Sequence, residues 1–310
     1  MSFFGKPKTD VPVPAPPEPL NAVVKRVAIS VFLTLLAAVL TLGVGAIVLS
    51  EVWQFVSNLN EFKVDLTSVQ TELPRWAMPA IEGDLQRVAG LNGKRSIFEP
   101  GLGKRLALAY GRSPWVLKVC YVRRLFPNSL EVGLALRKPA AAVHAGDASY
   151  LVDEDGVLLS RRFYRWPGDA GLLPVIVPTH RVAPCSPGIR WREESILAGV
   201  GLLRMLREYG IVETLNIRWI DVSNFGGIHD QKKSEIVLCN GTRTRIKWGR
   251  FATNKRPGEA RDIMKLQNLL TVVKREGCEL AGIDYVDVRW NDPYIMRRSD
   301  VTHVRSVASR

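Results

Sequence analysis

The sequence predicts an α+β protein carried by a single membrane-spanning helix. Three observations lead there: an uncharged apolar stretch from Val27 to Ser50, a strand-helix-helix-strand-strand order over residues 62–143, and a strand-rich stretch at 144–296 with two amphipathic helices. With 46% hydrophobic residues in a chain of 310, the part beyond the apolar stretch can fill the cores of two compact domains.

Residues 1–26 contain the run VPVPAPPEP, too rich in proline for a helix and too short for a core, and read as a disordered tail. Phe3 and Phe4 are the alternative there, as a docking handle for a partner. Residues 27–50 would form a helix of about 36 Å, enough for a hydrocarbon core of about 30 Å. A buried core helix of that length would normally show a polar face, and a cleaved signal peptide would have a shorter apolar region. Lys25 and Arg26 abut the front of the stretch, while Glu51, Trp53 and Phe55 follow it. The positive-inside rule then expects a signal anchor with its N-terminus in the cytoplasm and the remaining chain exported. Ala37, Thr41 and Gly45 recur every fourth residue, a stripe of small side chains where another membrane helix could pack.

From Phe62, FKVDLTSV reads as a first strand. Pro79 to Leu91 reads as a helix with Ile81, Leu85 and Val88 on one face, and Phe98 to Tyr110 as a second helix stopped by Gly111. WVLKVCYVRRLF and LEVGLALRK, separated by Pro127-Asn128-Ser129, make a hairpin with Leu130, Val132, Leu134 and Leu136 on its buried face.

Tyr150 to Leu159 reads as two short strands around an Asp-Glu-Asp-Gly turn, and residues 160–190 as an irregular basic connection. A helix is expected over Trp191–Tyr209, burying Ile196, Val200, Leu203 and Leu206, then a strand within Thr214–Val222. EIVLCNGTRTRIKW reads as a hairpin whose Asn240-Gly241 suits a type I′ turn. Glu259–Arg275 reads as a second amphipathic helix presenting Ile263, Leu266, Leu270 and Val273. IDYVDVRW is expected as the last strand, ending a sheet, followed by Asn291-Asp292-Pro293, a short Tyr-Ile-Met run and a flexible basic tail, 297–310.

The chain carries 43 Lys and Arg against 30 Asp and Glu, a net charge of +13. Such a balance usually points to nucleic acid. Outside the cytoplasm it points instead to phospholipid headgroups, anionic wall polymers or an acidic protein partner, so no nucleic acid is expected. Cys120, Cys185, Cys239 and Cys278 lie too far apart for a zinc ribbon or a redox pair. They read as one or two disulfides or as small buried hydrophobes.

No hydrolase, zincin, Walker or haem-attachment motif is present, and His144, His180, His229 and His303 are widely separated. Asp153-x-Asp155-Gly156 starts like an EF-hand loop but lacks the later ligands, so it reads as a β-turn. No enzyme activity, cofactor, metal or small-molecule substrate is expected. Surface features remain: Arg289, Trp290, Tyr294 and Met296 near the final strand are residue types enriched in interface cores. An exposed edge there could accept a partner strand, although Trp290 could equally be core.

Pro114-Trp115-Val116, Val119, Val122-Arg123, Phe126-Pro127, Leu130 and Lys138-Pro139-Ala140 together resemble the end of a POTRA domain in the bacterial cell-division family FtsQ/DivIB, and the resemblance continues through Val152-Asp153 and Asp155-Gly156. The resemblance returns in Asn240-Gly241, Trp248-Gly249-Arg250, Leu266 and the run Tyr285 to Trp290. It departs at Leu136, where the family commonly has an acidic residue nearby, and in FKVDLTSVQTELPRW, which lacks the usual glycine.

The resemblance implies a POTRA domain followed by a β domain, and a non-enzymatic scaffold of the division machinery in the bacterial inner membrane at the septum. It further implies FtsB- and FtsL-like bitopic partners and a part in controlling septal peptidoglycan synthesis. Arg289 and Trp290 match the family's arginine and aromatic in the partner-binding strand. Asp292 lies in the same stretch without matching in type. The alternative function is an envelope POTRA module that chaperones or passes exported polypeptides.

Overall fold

The computed structural model describes residues 20–77, 79–87, 91–146, 148–160, 173–178, 185–252 and 257–298. Most of the expected N-terminal tail with Phe3 and Phe4, Val88, much of the 160–190 connection and most of the C-terminal tail lie outside the described residues. The chain forms two units, Met1–Phe62 and Lys63–Arg310, and each is described by itself.

The first unit is one helix, α1 (Leu20–Asn58), followed by a 3-10 turn at Asn60–Phe62. Its segment Val24–Asn58 is long and apolar enough to cross a membrane and is not buried against other parts of the protein. The helix outruns the expected span at both ends. Hydropathy marks where lipid would contact the chain, whereas nothing in NAVVKR or EVWQFVSN breaks the backbone ladder.

In the second unit the expected strand at 62–69 is cut short after Asp65, and a separate strand in a different sheet begins at Gln70. β1 (Lys63–Asp65) pairs antiparallel with β3 (Lys94–Ser96), and β2 (Gln70–Glu72) pairs parallel with β5 (Ser129–Leu136). Asp65 makes the break: its Oδ1 accepts from the Thr67 backbone N–H at 2.9 Å and from the Thr67 hydroxyl at 2.8 Å, capping a 3-10 turn at Leu66–Ser68. These bonds hold the Asp65 carboxyl below its ordinary value of 3.8. A depressed folded value means that the cap is complete above pH 3.8 and is lost as pH falls through the lower, folded value. Amide exchange at Thr67 should therefore keep its protection at pH 4 and lose it on further acidification. Unchanged protection in Asp65→Ala would exclude the carboxylate as the cap.

Between these strands lie α2 (Pro79–Gln86) and α3 (Leu102–Gly111). The second begins later than the expected Phe98, because Pro100 disfavours helix in the residue before it and Gly101 sits at φ +76°. β4 (Val116–Leu125) and β5 form the expected hairpin, giving a three-stranded sheet in the order β2-β5-β4. The register slips twice, between Val116 and Lys118 and between Val119 and Tyr121, so Leu117 and Cys120 bulge from β4. Gly133 is required under the Tyr121 ring, where a Cβ would meet a ring carbon at 2.3 Å. The Tyr121 hydroxyl donates to Glu131 at 2.7 Å, which with burial pushes its pKa up to about 12.

A nine-stranded sheet follows. It uses β6 (Ala141–Ala145), β7 (Ala148–Val152), β8 (Leu158–Ser160), β9 (Val175–Val177), β10 (Ile217–Asp221), β11 (Ile236–Asn240), β12 (Arg245–Gly249), β13 (Ile283–Asp287) and β14 (Tyr294–Arg297). Its order is β14-β13-β12-β11-β10-β9-β6-β7-β8. The expected boundary between residues 143 and 144 falls inside β6. Alternate residues at this end of the sheet serve two cores: Ala141, Val143, Val152 and Ile176 join one cluster, while Ala142, Leu151 and Leu159 join the other. The second cluster is the core of the 63–136 region, so β6 to β9 form a wall buried on both faces. Asp153 fixes the turn after β7, as its Oδ1 accepts from the N–H of Asp155 and Val157 and its Oδ2 from Arg137 at 2.6 Å.

The helices α4 (Glu194–Glu208), α5 (Ile211–Thr214) and α6 (Asp262–Glu276) complete this unit. In α4 the expected Ile196, Val200, Leu203 and Leu206 are all buried. The α6 face is turned from the expected one: Leu266, Leu269 and Val272 are buried beside Lys265 and Asn268, while Ile263 and Leu270 are 49% and 41% exposed. Apolar spacing alone favours the wrong stripe, because Lys265 occupies a core position that a pattern reading gives to solvent.

The β11–β12 connection is also different from the expected type I′ turn. Gly241, Thr242 and Arg243 form a three-residue loop, with Arg243 at φ +66°. The Asn240 side chain accounts for this, since its Oδ1 accepts from Thr244 N–H at 2.8 Å and its Nδ2 donates to the Glu279 carbonyl. All four cysteines are free thiols. Cys120 and Cys278 are exposed and Cys185 and Cys239 half-buried, so burial as small hydrophobes describes only the latter pair, in part.

Candidate functional site

The strand expected to end the sheet stops at Asp287 and is paired on both sides, with β12 and β14. The edge is β14, formed by the run that the pattern left outside the last strand. Asp287 causes the stop: its Oδ1 accepts from Arg289 N–H at 3.2 Å, and the following Asn291-Asp292-Pro293 turns the chain. Arg289, Trp290 and Asp292 therefore lie in the β13–β14 connection, while Tyr294 and Met296 lie on the edge strand.

Register sets what the edge presents. Ile295, Val286 and Ile246 are opposite one another and belong to the core side. Tyr294, Asp287 and Lys247 form the neighbouring row, with Met296, Tyr285 and Arg245 in the next, both on the outer face. There the Lys247 ammonium sits 3.2 Å from the Tyr285 ring centroid, and the Tyr285 and Tyr294 rings are 6.0 Å apart. Burial pushes the Lys247 pKa down and the Tyr285 pKa up.

Arg289 is committed to the fold. Its Nε and Nη2 donate to the two oxygens of Asp287 at 2.9 and 2.6 Å, and its Nη1 reaches the Lys232 carbonyl at 3.3 Å. The Asp287 carboxylate raises the guanidinium pKa further above its ordinary value. The connection is also held from outside: Ala260 N–H donates to the Arg289 carbonyl at 2.7 Å, and Asn268 Nδ2 to the Trp290 carbonyl at 2.8 Å. Trp290 keeps 39% of its surface exposed, with the Arg289 guanidinium 5.3 Å from its ring centroid. Asp292 is exposed. The structure thus gathers all five expected residues at one end of the sheet, but gives Arg289 a positioning role and leaves Trp290 and Tyr294 as the exposed aromatics.

Behind the connection lies a buried polar cluster that the sequence reading did not find. Lys265 Nζ donates to Glu259 Oε1 at 2.7 Å and to the Arg250 carbonyl at 2.7 Å, with Asp262 at 3.7 Å. Trp248 Nε1 donates to the same Asp262 at 3.1 Å, and Arg250 N–H to Glu259 at 2.8 Å. The signal was available: Lys265 is in line with Leu269 and Val272 at helical spacing, a lysine on an apolar stripe.

On α1, Ala37, Thr41 and Gly45 are exposed, and the Thr41 hydroxyl donates to the Ala38 carbonyl of its own helix. Lys25 and Arg26 are exposed as well. Among the described residues no group of three or more His, Cys, Asp or Glu is arranged to hold a metal ion.

No protein-family model matches the chain. It is 32% identical over 209 residues to the cell division protein FtsQ of Anaeromyxobacter sp. (strain K), an alignment covering 66% of this chain and 60% of that relative. The chain therefore spans less than two thirds of the relative's length.

Proposed function

We propose, for a chain that belongs to the FtsQ/DivIB family of cell-division proteins, a scaffold without enzymatic activity whose β14 edge accepts an extended strand from a partner. The partners are FtsB- and FtsL-like bitopic proteins, the site is the inner membrane at the septum, and the outcome is control of septal peptidoglycan synthesis. The N-terminus is cytoplasmic, set by Lys25 and Arg26, and the body after Lys63 is exported, its first part being a POTRA domain. The 37, 41, 45 stripe packs beside a partner's membrane helix.

One observation carries the reading. Among the described residues β14 is the outermost strand of the nine-stranded sheet, with the exposed Tyr294 at its start and the exposed Trp290 in the connection before it. Main-chain bonds from an added strand would supply affinity and the aromatics would supply selectivity. β4, the edge of the three-stranded sheet among the described residues, supports the alternative, passage of exported polypeptides, less well. Two bulges interrupt it, and Lys118, Arg123 and Arg124 are exposed along it, features that blunt an edge.

Replacing Trp290 or Tyr294 with glutamate should leave thermal unfolding of the full chain unchanged and reduce co-purification of the FtsB-like partner by about tenfold or more. Undiminished recovery with both variants folded would refute strand addition at this edge.

A further inference from the structure

The β4–β5 hairpin ends in six consecutive exposed residues, Arg123 to Asn128, in which Phe126 is 66% exposed and Leu125 39%. Nothing in the proposed β14 edge uses this tip. The Phe126 ring stands against the Phe98 ring, 5.7 Å between centroids. Glu99 then joins two arginines, since Arg124 Nη2 donates to its carbonyl at 3.1 Å and Arg105 Nη2 to its carboxylate at 2.5 Å. Arg105 is also part of a groove of about 240 Å³. The buried Leu66, Leu91, Leu102 and Leu106 line that groove together with the exposed Arg95, Arg105 and Arg112.

A protruding phenylalanine and leucine beside arginines, continuous with an apolar groove flanked by arginines, is the composition of a bilayer interface contact. Acyl chains take the apolar tip and anionic phosphates take the guanidinium groups. Connectivity supplies the occupant. The chain arrives from the apolar helix at Lys63, five residues after Asn58, and Lys63 pairs with Ser96, two residues from Phe98. The aromatic tip is therefore at the end of this body where the chain comes in from its own anchor.

We infer that the Leu125–Phe126 hairpin tip and the Arg95, Arg105 and Arg112 groove form a binding surface for anionic phospholipid in the membrane that anchors the chain. The surface is separate from the β14 edge, and its test is independent of any division partner. Each arginine brought to the headgroup layer should contribute about fivefold to binding, and the effect should fade within a Debye length as salt rises.

The test is hydrogen exchange of the full chain in nanodiscs of phosphatidylcholine alone or with phosphatidylglycerol. Exchange over residues 121–130 should slow about fivefold or more in the anionic discs and recover in 1 M salt. Phe126→Glu and Arg124→Glu should abolish the slowing while leaving exchange in the nine-stranded sheet unchanged, since both side chains are exposed. Equal exchange in the two discs would overturn the inference. So would protection by a soluble polyanion added to the neutral discs, which would assign the arginines to a wall polymer.

Discussion

Lys265→Ala is expected to reduce the unfolding free energy of the body after Lys63 by about 3–5 kcal/mol, the range for removing one partner of a buried ion pair. The Lys265 side chain is 2% exposed and that of Glu259 4%, so neither charge can turn to water when the other is lost. The alanine would leave the Glu259 carboxylate buried against Arg250 N–H alone and would free the Arg250 carbonyl from its cation. It would also empty a large volume behind Trp248, whose ring centroid lies 5.9 Å from the ammonium. Urea denaturation of the full chain in detergent, followed by tryptophan fluorescence, measures the change. The double variant Lys265→Met, Glu259→Gln should recover most of it, because the buried Glu259 charge is removed with its partner and Asp262, 19% exposed, keeps its bonds from Trp248 Nε1 and Ala252 N–H. A loss below about 1 kcal/mol for Lys265→Ala would show that water reaches the cluster.

Arg289→Ala is expected to cost about 3 kcal/mol and to weaken partner capture through the edge it supports rather than through a lost contact. Its two bonds to Asp287 and one to Lys232 hold the connection from which β14 departs. Asp287→Asn alone should have a similar but smaller effect, and in a double-mutant cycle the two losses should fall well short of adding. A residue that only touches a partner would give an unchanged unfolding midpoint and a reduced capture. An unchanged midpoint for Arg289→Ala would therefore return this residue to the contact set and remove its positioning role.

These two sites also mark where the sequence was and was not readable. The membrane helix follows from unbroken apolar length, and the β4–β5 hairpin and the buried face of α4 follow from periodicity, because each is a long element with one kind of neighbour. The misreadings share a cause, a side chain that replaces a backbone partner. Asp65 ends a strand by taking the Thr67 N–H, Asn240 reshapes a hairpin by bonding Thr244, and Asp287 closes a strand by holding Arg289. Hydrophobic spacing carries no information about such bonds. α6 fails for the converse reason, since a cation is buried in its core stripe and an isoleucine left outside. At the candidate site the residues were legible by type and the strand they belong to was not. Which of two adjacent runs is outermost depends on pairing, and a β13–β14 turn of Asn, Asp and Pro looks from sequence like the end of order.

β6 to β9, with one row of side chains in each core, have a thermodynamic consequence for the body after Lys63. Opening either core would expose one face of the strands that also floor the other, so losing one core removes the packing that holds those strands in place for the second. The small three-stranded part and the large sheet are then expected to melt together, and a single calorimetric transition would show it while two separate ones would refute it. A truncation placed between them would not liberate an independent module, because the strands it assigns to one side are also the floor of the other.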